Sequence, residues 1–413
     1  MRVVLLFMAL CHGTTYLGGS DQGTALSANA LIQSGATHCR VYLLWRYVQQ
    51  EVKPPLENIT VAWLRANPAA IAAWAAAQDW SETDRRLSLY AQSNITIIGE
   101  VTEGTVTGLP KFGESLFDPN VVGEQIYLAY VYRAARATVS RYQQRVHMWQ
   151  IENELNEAFL ASVGGQRRFQ LLGSAWRRWV FLTTVLETCR AAVKDADPTA
   201  LVTMNFHTDV AEWVHDALAL PGFYEKAVAD WHSLLDVISI DAYPNAFVSA
   251  PCESALVAQR VGAAITASKG MPVFVMEWNY PVAAPSNQQL PDVANFSDSR
   301  QVACIAATFQ AVKAAGGAGV MVFKFAESAG IVPPPGGYSA LDLEALKLLR
   351  LVMENNDDVL YLLQWLESGV HLQYLRTRLP VLLESFQQGA GLLMLNGTAR
   401  PGYYELAKMF REW

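Results

Sequence analysis

The sequence predicts a (β/α)8 barrel in a single domain. Short β-rich runs alternate with longer amphipathic helical stretches, seven such runs follow residue 20, and of these one ends on a glutamate and another runs directly into an Asn-Glu pair. The first strand is expected at residues 3–10, a continuous apolar run after Arg2 that suits a buried parallel strand. The same residues also read as the charged and apolar regions of a short signal peptide, which would favour a secreted protein. Counting decides for the strand, because a closed eight-stranded barrel needs one more than the seven runs downstream.

Those seven are expected at residues 38–44, 95–101, 146–153, 201–206, 237–241, 273–277 and 319–325. Helices are expected between them at 24–34, 81–92, 125–142, 171–194 and 300–314, with Ser34-Gly35 and Asp197-Pro198 as stop signals. After the eighth strand come Pro333-Pro334-Pro335-Gly336-Gly337, a helix-rich stretch, and then Gly391-Leu392-Leu393. This reads as a helical insertion over residues 338–388 within a catalytic barrel spanning 1–413.

Composition fits that fold. Of 413 residues, 52% are hydrophobic and 17% charged, enough for a large core and too apolar for a disordered chain. A net charge of -7 without a long basic run argues against nucleic acid as a partner. No apolar run is long enough to span a bilayer. The five cysteines show no C-x-x-C pair, and the seven histidines no compact ligand spacing, so no metal site is expected. Phosphate-binding glycine loops and a G-x-S-x-G elbow are also missing, and no cofactor is expected. Four N-x-[ST] triplets, at Asn58, Asn94, Asn295 and Asn396, are weak signs of a secretory route.

Two segments carry the chemistry. Trp149-Gln150-Ile151-Glu152-Asn153-Glu154 runs from a strand straight into an Asn-Glu pair, and Pro272-Val273-Phe274-Val275-Met276-Glu277 ends a second strand on a glutamate. In a (β/α)8 barrel, strand carboxyl ends form the catalytic face. Cleavage of a glycosidic bond with retention needs two carboxyl groups flanking it, one to protonate the leaving oxygen and one to attack. The acid is expected to hold a raised pKa and the nucleophile to stay ionised. A second doublet, Asn156-Glu157, competes with the first, but three further residues would place it in the following loop. Simple alternation would set Glu152 on the same face as Glu154, one layer deeper, although strand ends often break that rule, which leaves Glu152 as either a partner of the site or a buried charge in need of one.

Asn153-Glu154 ending strand four and Glu277 ending strand seven resemble the clan A glycoside hydrolases, retaining enzymes built on a TIM barrel. The resemblance extends over most of the chain. Arg40 within His38-Cys39-Arg40-Val41-Tyr42 is similar to the strand-two arginine that supports their nucleophile. Tyr243, after Ile238-Ser239-Ile240-Asp241-Ala242, is similar to the tyrosine that hydrogen-bonds it. The closing segment, Gly391-Leu392-Leu393 and Asn396-Gly397-Thr398-Ala399-Arg400-Pro401-Gly402-Tyr403-Tyr404, is similar as well. Two positions depart from the pattern: Phe323 and Phe325 stand on strand eight where a tryptophan is common, and Asp241 where some members have histidine.

The resemblance implies a retaining β-glycosidase acting on a β-linked polysaccharide or oligosaccharide of mannan, glucan or galactan type, with Glu154 as acid/base and Glu277 as nucleophile. Arg40, Trp45, Asn153, His207, Tyr243, Trp278 and Phe325 are the candidate substrate-binding residues. A transglycosylase using the same two glutamates, or a silent carbohydrate-binding barrel, are the rival readings. Glu100 and Glu103, near the end of strand three, either contact substrate or are solvated.

Overall fold

A computed structural model of the chain describes residues 14–104, 107–157, 174–218, 223–244, 252–282, 297–327, 339–353, 359–368, 371, 373–374, 377–378 and 390–413. Eight parallel strands close a barrel in which every strand pairs with its sequence neighbours and the last pairs with the first. They are β1 (Tyr16–Ser20), β2 (His38–Tyr42), β3 (Thr96–Glu100), β4 (Val146–Asn153), β5 (Leu201–His207), β6 (Ile238–Asp241), β7 (Val273–Trp278) and β8 (Gly319–Val322).

Helices cover the outside. They include α1 (Ala25–Gln33), α2 (Ser81–Ser88), α3 (Glu124–Tyr142), α4 (Trp179–Ala196), α5 (Tyr224–Trp231), α6 (Ser254–Ala267) and α7 (Asp298–Ala314). Beyond β8 lie α8 (Ala340–Met353), α9 (Val359–Glu367) and the closing α10 (Pro401–Glu412). The start of α1 is set by Thr24, whose hydroxyl accepts from the Ser27 N–H at 3.2 Å, and that of α7 by Ser297, which accepts from Arg300 N–H at 3.3 Å.

The strand count was right and the first strand was misplaced. β1 is Tyr16–Ser20, while residues 3–10 lie outside the described residues. The sequence Tyr-Leu-Gly-Gly-Ser hides a strand because glycine has low β-propensity, yet here the glycine is required. A Cβ on Gly18 would sit 1.7 Å from the His38 carbonyl oxygen, so β1 and β2 approach too closely for any side chain. With eight strands filled, closure no longer calls for residues 3–10.

Two apolar layers result. Inside the barrel, Tyr16, Ile98, Met148, Val237, Phe274, Met276 and Met321 form a plug, with Tyr16 stacked on Phe274 at 4.4 Å between ring centroids. A much larger cluster, including Trp149, Trp176, Trp231 and Phe309, fills the space between strands and helices. Polar side chains replace the plug toward the carboxyl ends of the strands, where Arg40, Glu100, Asn205 and Asp241 are all buried.

The chain does return to the barrel after its late helices. Leu392 and Leu393 N–H both donate to the Phe325 carbonyl, and Arg400 pairs with Glu327 and Asp298. The α8 helix is tied to the loop after β5 by the Ala211 N–H donating to the Val352 carbonyl at 2.8 Å. The Pro333–Gly337 cluster and much of the expected helical stretch to residue 387 lie outside the described residues. Strand eight ends at Val322, three residues early, and the Phe323 N–H beyond it is shared between the Trp278 carbonyl and the Asn279 side chain, both at 3.2 Å.

Candidate active site

The β4 strand delivers its residues by breaking alternation. Its register with β5 shifts between Gln150 and Asn153, so these two residues, three apart, both reach Asn205 of β5. Glu152 is thereby turned away. Its Oε2 accepts from Gly104 N–H at 3.2 Å and Asn153 N–H at 3.3 Å, and its charge acts on Cys189 of α4. The expectation that Glu152 lies beneath Glu154 is corrected by this bulge.

Glu154 follows with φ of 44°, the left-handed region that a side chain rarely occupies. Its N–H donates to the Asn205 carbonyl at 3.1 Å, and the Glu157 N–H donates back to the Glu154 carbonyl at 2.9 Å, closing a turn. Glu157 thus belongs to the turn. Between them, Asn156 clamps the end of β5: its Oδ1 accepts the His207 N–H and its Nδ2 donates to the His207 carbonyl, both at 2.9 Å. That clamp holds the His207 ring with Nδ1 2.9 Å from Glu154 Oε1.

On the opposite side, both oxygens of Glu277 are engaged. Oε1 accepts from Arg40 Nη1, and Oε2 accepts from the Tyr243 hydroxyl at 2.6 Å. Arg40 forks further, with Nη2 2.8 Å from Asn153 Oδ1 and 2.7 Å from Glu100 Oε2. The Tyr243 backbone N–H is fixed by Asp209, itself paired with Arg260 of α6. In the strand register, His207, Asp241 and Glu277 stand side by side across β5, β6 and β7.

Of the expected site residues, the network joins Glu154, Glu277, Arg40, Asn153, His207 and Tyr243. Three aromatics stand apart. Trp45 packs against Phe117 and Tyr130 and donates its indole N–H to Gln49. Phe325 meets Tyr403 edge-on, and Trp278 is buried at the end of β7. Glu100 is fully buried on Arg40, which settles it as neither solvated nor rim-exposed. Asn205 escaped the sequence reading, although an asparagine inside the apolar run of β5 was a usable signal, and Gln150 and Asn156 were named in their motifs without the roles they take here.

The protons distribute differently from the expectation. For Glu154, burial works upward, but His207, the Asp241 hydrogen bond and Arg40 outweigh it and hold the carboxyl below its ordinary range. For Glu277, burial and the Glu154 charge outweigh Arg40 and Tyr243, and the carboxyl lies above its ordinary range. Burial would depress His207, but Glu154 raises it to about 9. The two glutamates influence each other, so protons belong to the cluster and not to single residues. Among the described residues no group of three or more His, Cys, Asp or Glu is placed to hold a metal, and no helix is long and apolar enough to cross a membrane.

Comparison with solved structures finds the same barrel elsewhere. The GH5_18 protein of Streptomyces cattleya, solved with GlcNAc, superposes with a TM-score of 0.59 at 12% identity, over 97% of this chain and 80% of that one. The β-glycosidase of Thermosphaera aggregans gives 0.59 at 10% identity, over 94% and 84%. A β-glucuronidase of an uncultured Clostridium sp. gives 0.51 at 13% identity, over 97% of this chain and 50% of that one, so this chain spans half its length. The chain shares its fold with glycoside hydrolases. No family model matches the sequence, and no curated protein does.

Proposed function

We propose that the protein is a retaining β-glycoside hydrolase, with Glu277 as nucleophile and Glu154 as acid/base. The observation that carries this reading is the treatment of Glu277. A buried guanidinium and a phenol each engage one oxygen, fixing the carboxylate plane at the mouth of the barrel. Glu154 enters the same polar cluster from β4, close enough for its charge to act on Glu277.

In the first step Glu277 attacks the anomeric carbon while Glu154 protonates the departing oxygen. In the second, Glu154 takes a proton from water as water displaces Glu277. Asn153 is held by Arg40, Asn205 and Gln150 through its Oδ1, which orients it beside the acid. A β-linked glycan of mannan, glucan or galactan type is the proposed substrate class. The glycoside-acting names of the structural neighbours support a sugar substrate in general terms.

Azide rescue on a dinitrophenyl β-glycoside tests both roles. Glu277→Gly loses turnover, and azide restores it with an α-glycosyl azide as product. Glu154→Ala is slowed by on the order of 10²–10⁴ on poor leaving groups, and azide then yields the β-glycosyl azide. Full activity of Glu277→Gly removes the nucleophile assignment.

A further inference from the structure

We propose that Asp241 is the proton store of this site, a third carboxyl that gives Glu154 a proton when Glu154 protonates the leaving oxygen and recovers it in the second step. The proposal rests on the reading of Glu154 as acid/base. Asp241 acts through Glu154 and is a positioning residue in that sense.

The geometry leaves one Asp241 oxygen, Oδ1, open to carry a proton. Asp241 ends β6 and is fully buried. Gln150 Nε2 donates to Asn205 Oδ1 at 2.6 Å, which turns the Asn205 amide nitrogen toward Asn153 Oδ1 and Asp241 Oδ2. Asp241 Oδ2 is therefore an acceptor. Oδ1 meets no N–H or hydroxyl donor among the described residues, and the Asp241 side chain is in hydrogen-bond contact with the Glu154 carboxyl. Two carboxyl groups make a hydrogen bond only when one holds a proton, and a buried oxygen without a donor is costly. A proton on Asp241 Oδ1, donated to Glu154, satisfies both groups.

The surrounding charges agree. Facing Asp241 are Glu154 beyond β4, Glu277 on β7, Arg40 on β2 and Tyr243 beyond its own strand, with His207 of β5 on Glu154. Burial, then the charges of Glu277 and Glu154, push the Asp241 carboxyl well above the usual range against Arg40 and Asn205. Arg40 is already divided between Glu277 and Glu100, which leaves little positive charge for Asp241.

The steps balance. As the bond between the anomeric carbon and the leaving oxygen breaks, that oxygen takes a proton from Glu154. That proton is supplied at once from Asp241 through Glu154, so that Glu154 and Asp241 both end the step ionised, and Glu277 bonds to the anomeric carbon. In the second step water attacks that carbon and releases Glu277, its proton passes to Glu154, and one proton returns to Asp241.

The test compares Asp241→Asn with wild type on phenyl and 2,4-dinitrophenyl β-glycosides of one sugar, chosen from glucosides, mannosides, galactosides and xylosides. Asparagine still accepts from Asn205 and donates to Glu154 but holds no transferable proton. On the phenyl glycoside, kcat/KM falls roughly 10–100-fold and the alkaline limb of its pH profile moves down by about one unit or more. The loss on the dinitrophenyl glycoside, which needs no acid, is at least about tenfold smaller. An unmoved limb, or equal losses on both substrates, overturns the proposal. So does a limb that moves in His207→Asn and not in Asp241→Asn.

Glu154→Ala is the control for the underlying reading. Equal losses on both leaving groups there, or a wild type inactive on every aryl β-glycoside, sink that reading and the proposal with it. Infrared spectroscopy of wild type carrying ¹³C-carboxyl aspartate needs no variant to fold. It should show a protonated aspartate at neutral pH, since the other described aspartates with shifted values are all lowered. Absence of that band overturns the proposal.

Discussion

Arg40 concentrates the electrostatics of the barrel mouth in one side chain. It lies inside an otherwise apolar strand, pairs with Glu277 and Glu100, bonds Asn153 and stands over the Tyr42 ring at 4.9 Å. A buried guanidinium in this position is tolerable only because its partners are charged and oriented, and removing it leaves two carboxylates without compensation. Arg40→Met should therefore cost about 3–5 kcal/mol of unfolding free energy, read from urea midpoints, and should also abolish turnover of aryl β-glycosides. A variant as stable as wild type would mean that Glu100 and Glu277 are neutral without it. Arg40 and Glu277 were legible in the sequence because a charge in an apolar strand demands a partner. Glu100 was visible but ambiguous, since its burial depends on an arginine 60 positions upstream, a relation that only the closed barrel supplies.

At the level of elements, side-chain patterning revealed the strands that bury side chains and missed the one that buries backbone. The spans of β4 and β7 agree with the sequence reading to within a residue, as both bury nearly every side chain. The strand β1 was invisible because Gly18 marks a close approach that leaves no side-chain signal. Gly18→Val should prevent normal closure between β1 and β2, with a loss of about 3 kcal/mol or more by overpacking. The variant should accordingly be insoluble or show a clearly lowered Tm in thermal unfolding. An unchanged Tm would show that β1 can move away from β2. The bulge in β4 was equally unreadable, since a register shift is a relation between two strands. It is nonetheless what brings Gln150 and Asn153 to the same asparagine.

For the whole molecule, the covalent link was the least legible feature. Cys252 and Cys304 form a disulfide that fastens the segment before α6 to α7, while Cys39 and Cys189 remain free and buried. No spacing signal marks a pair 52 residues apart. Closing a loop of that length stabilises the fold by up to about 4 kcal/mol through the entropy of the unfolded chain. Cys252→Ser and Cys304→Ser should each lower the denaturation midpoint, and a reductant should lower that of wild type equally without further effect on either variant. If the reductant frees both thiols and the midpoint stays put, the link contributes nothing to stability.

The left-handed backbone at Glu154 bears on how such a chain can change over generations. At φ of 44° a glycine is relaxed, asparagine and aspartate are tolerated, and a glutamate is strained. Random substitution there meets opposed selective pressures: folding alone rewards the loss of the side chain, and only the acid/base role proposed above retains it. A descendant freed from its chemistry would be expected to drift toward glycine at 154 early, which makes that position a marker for lineages that kept the barrel and gave up the reaction.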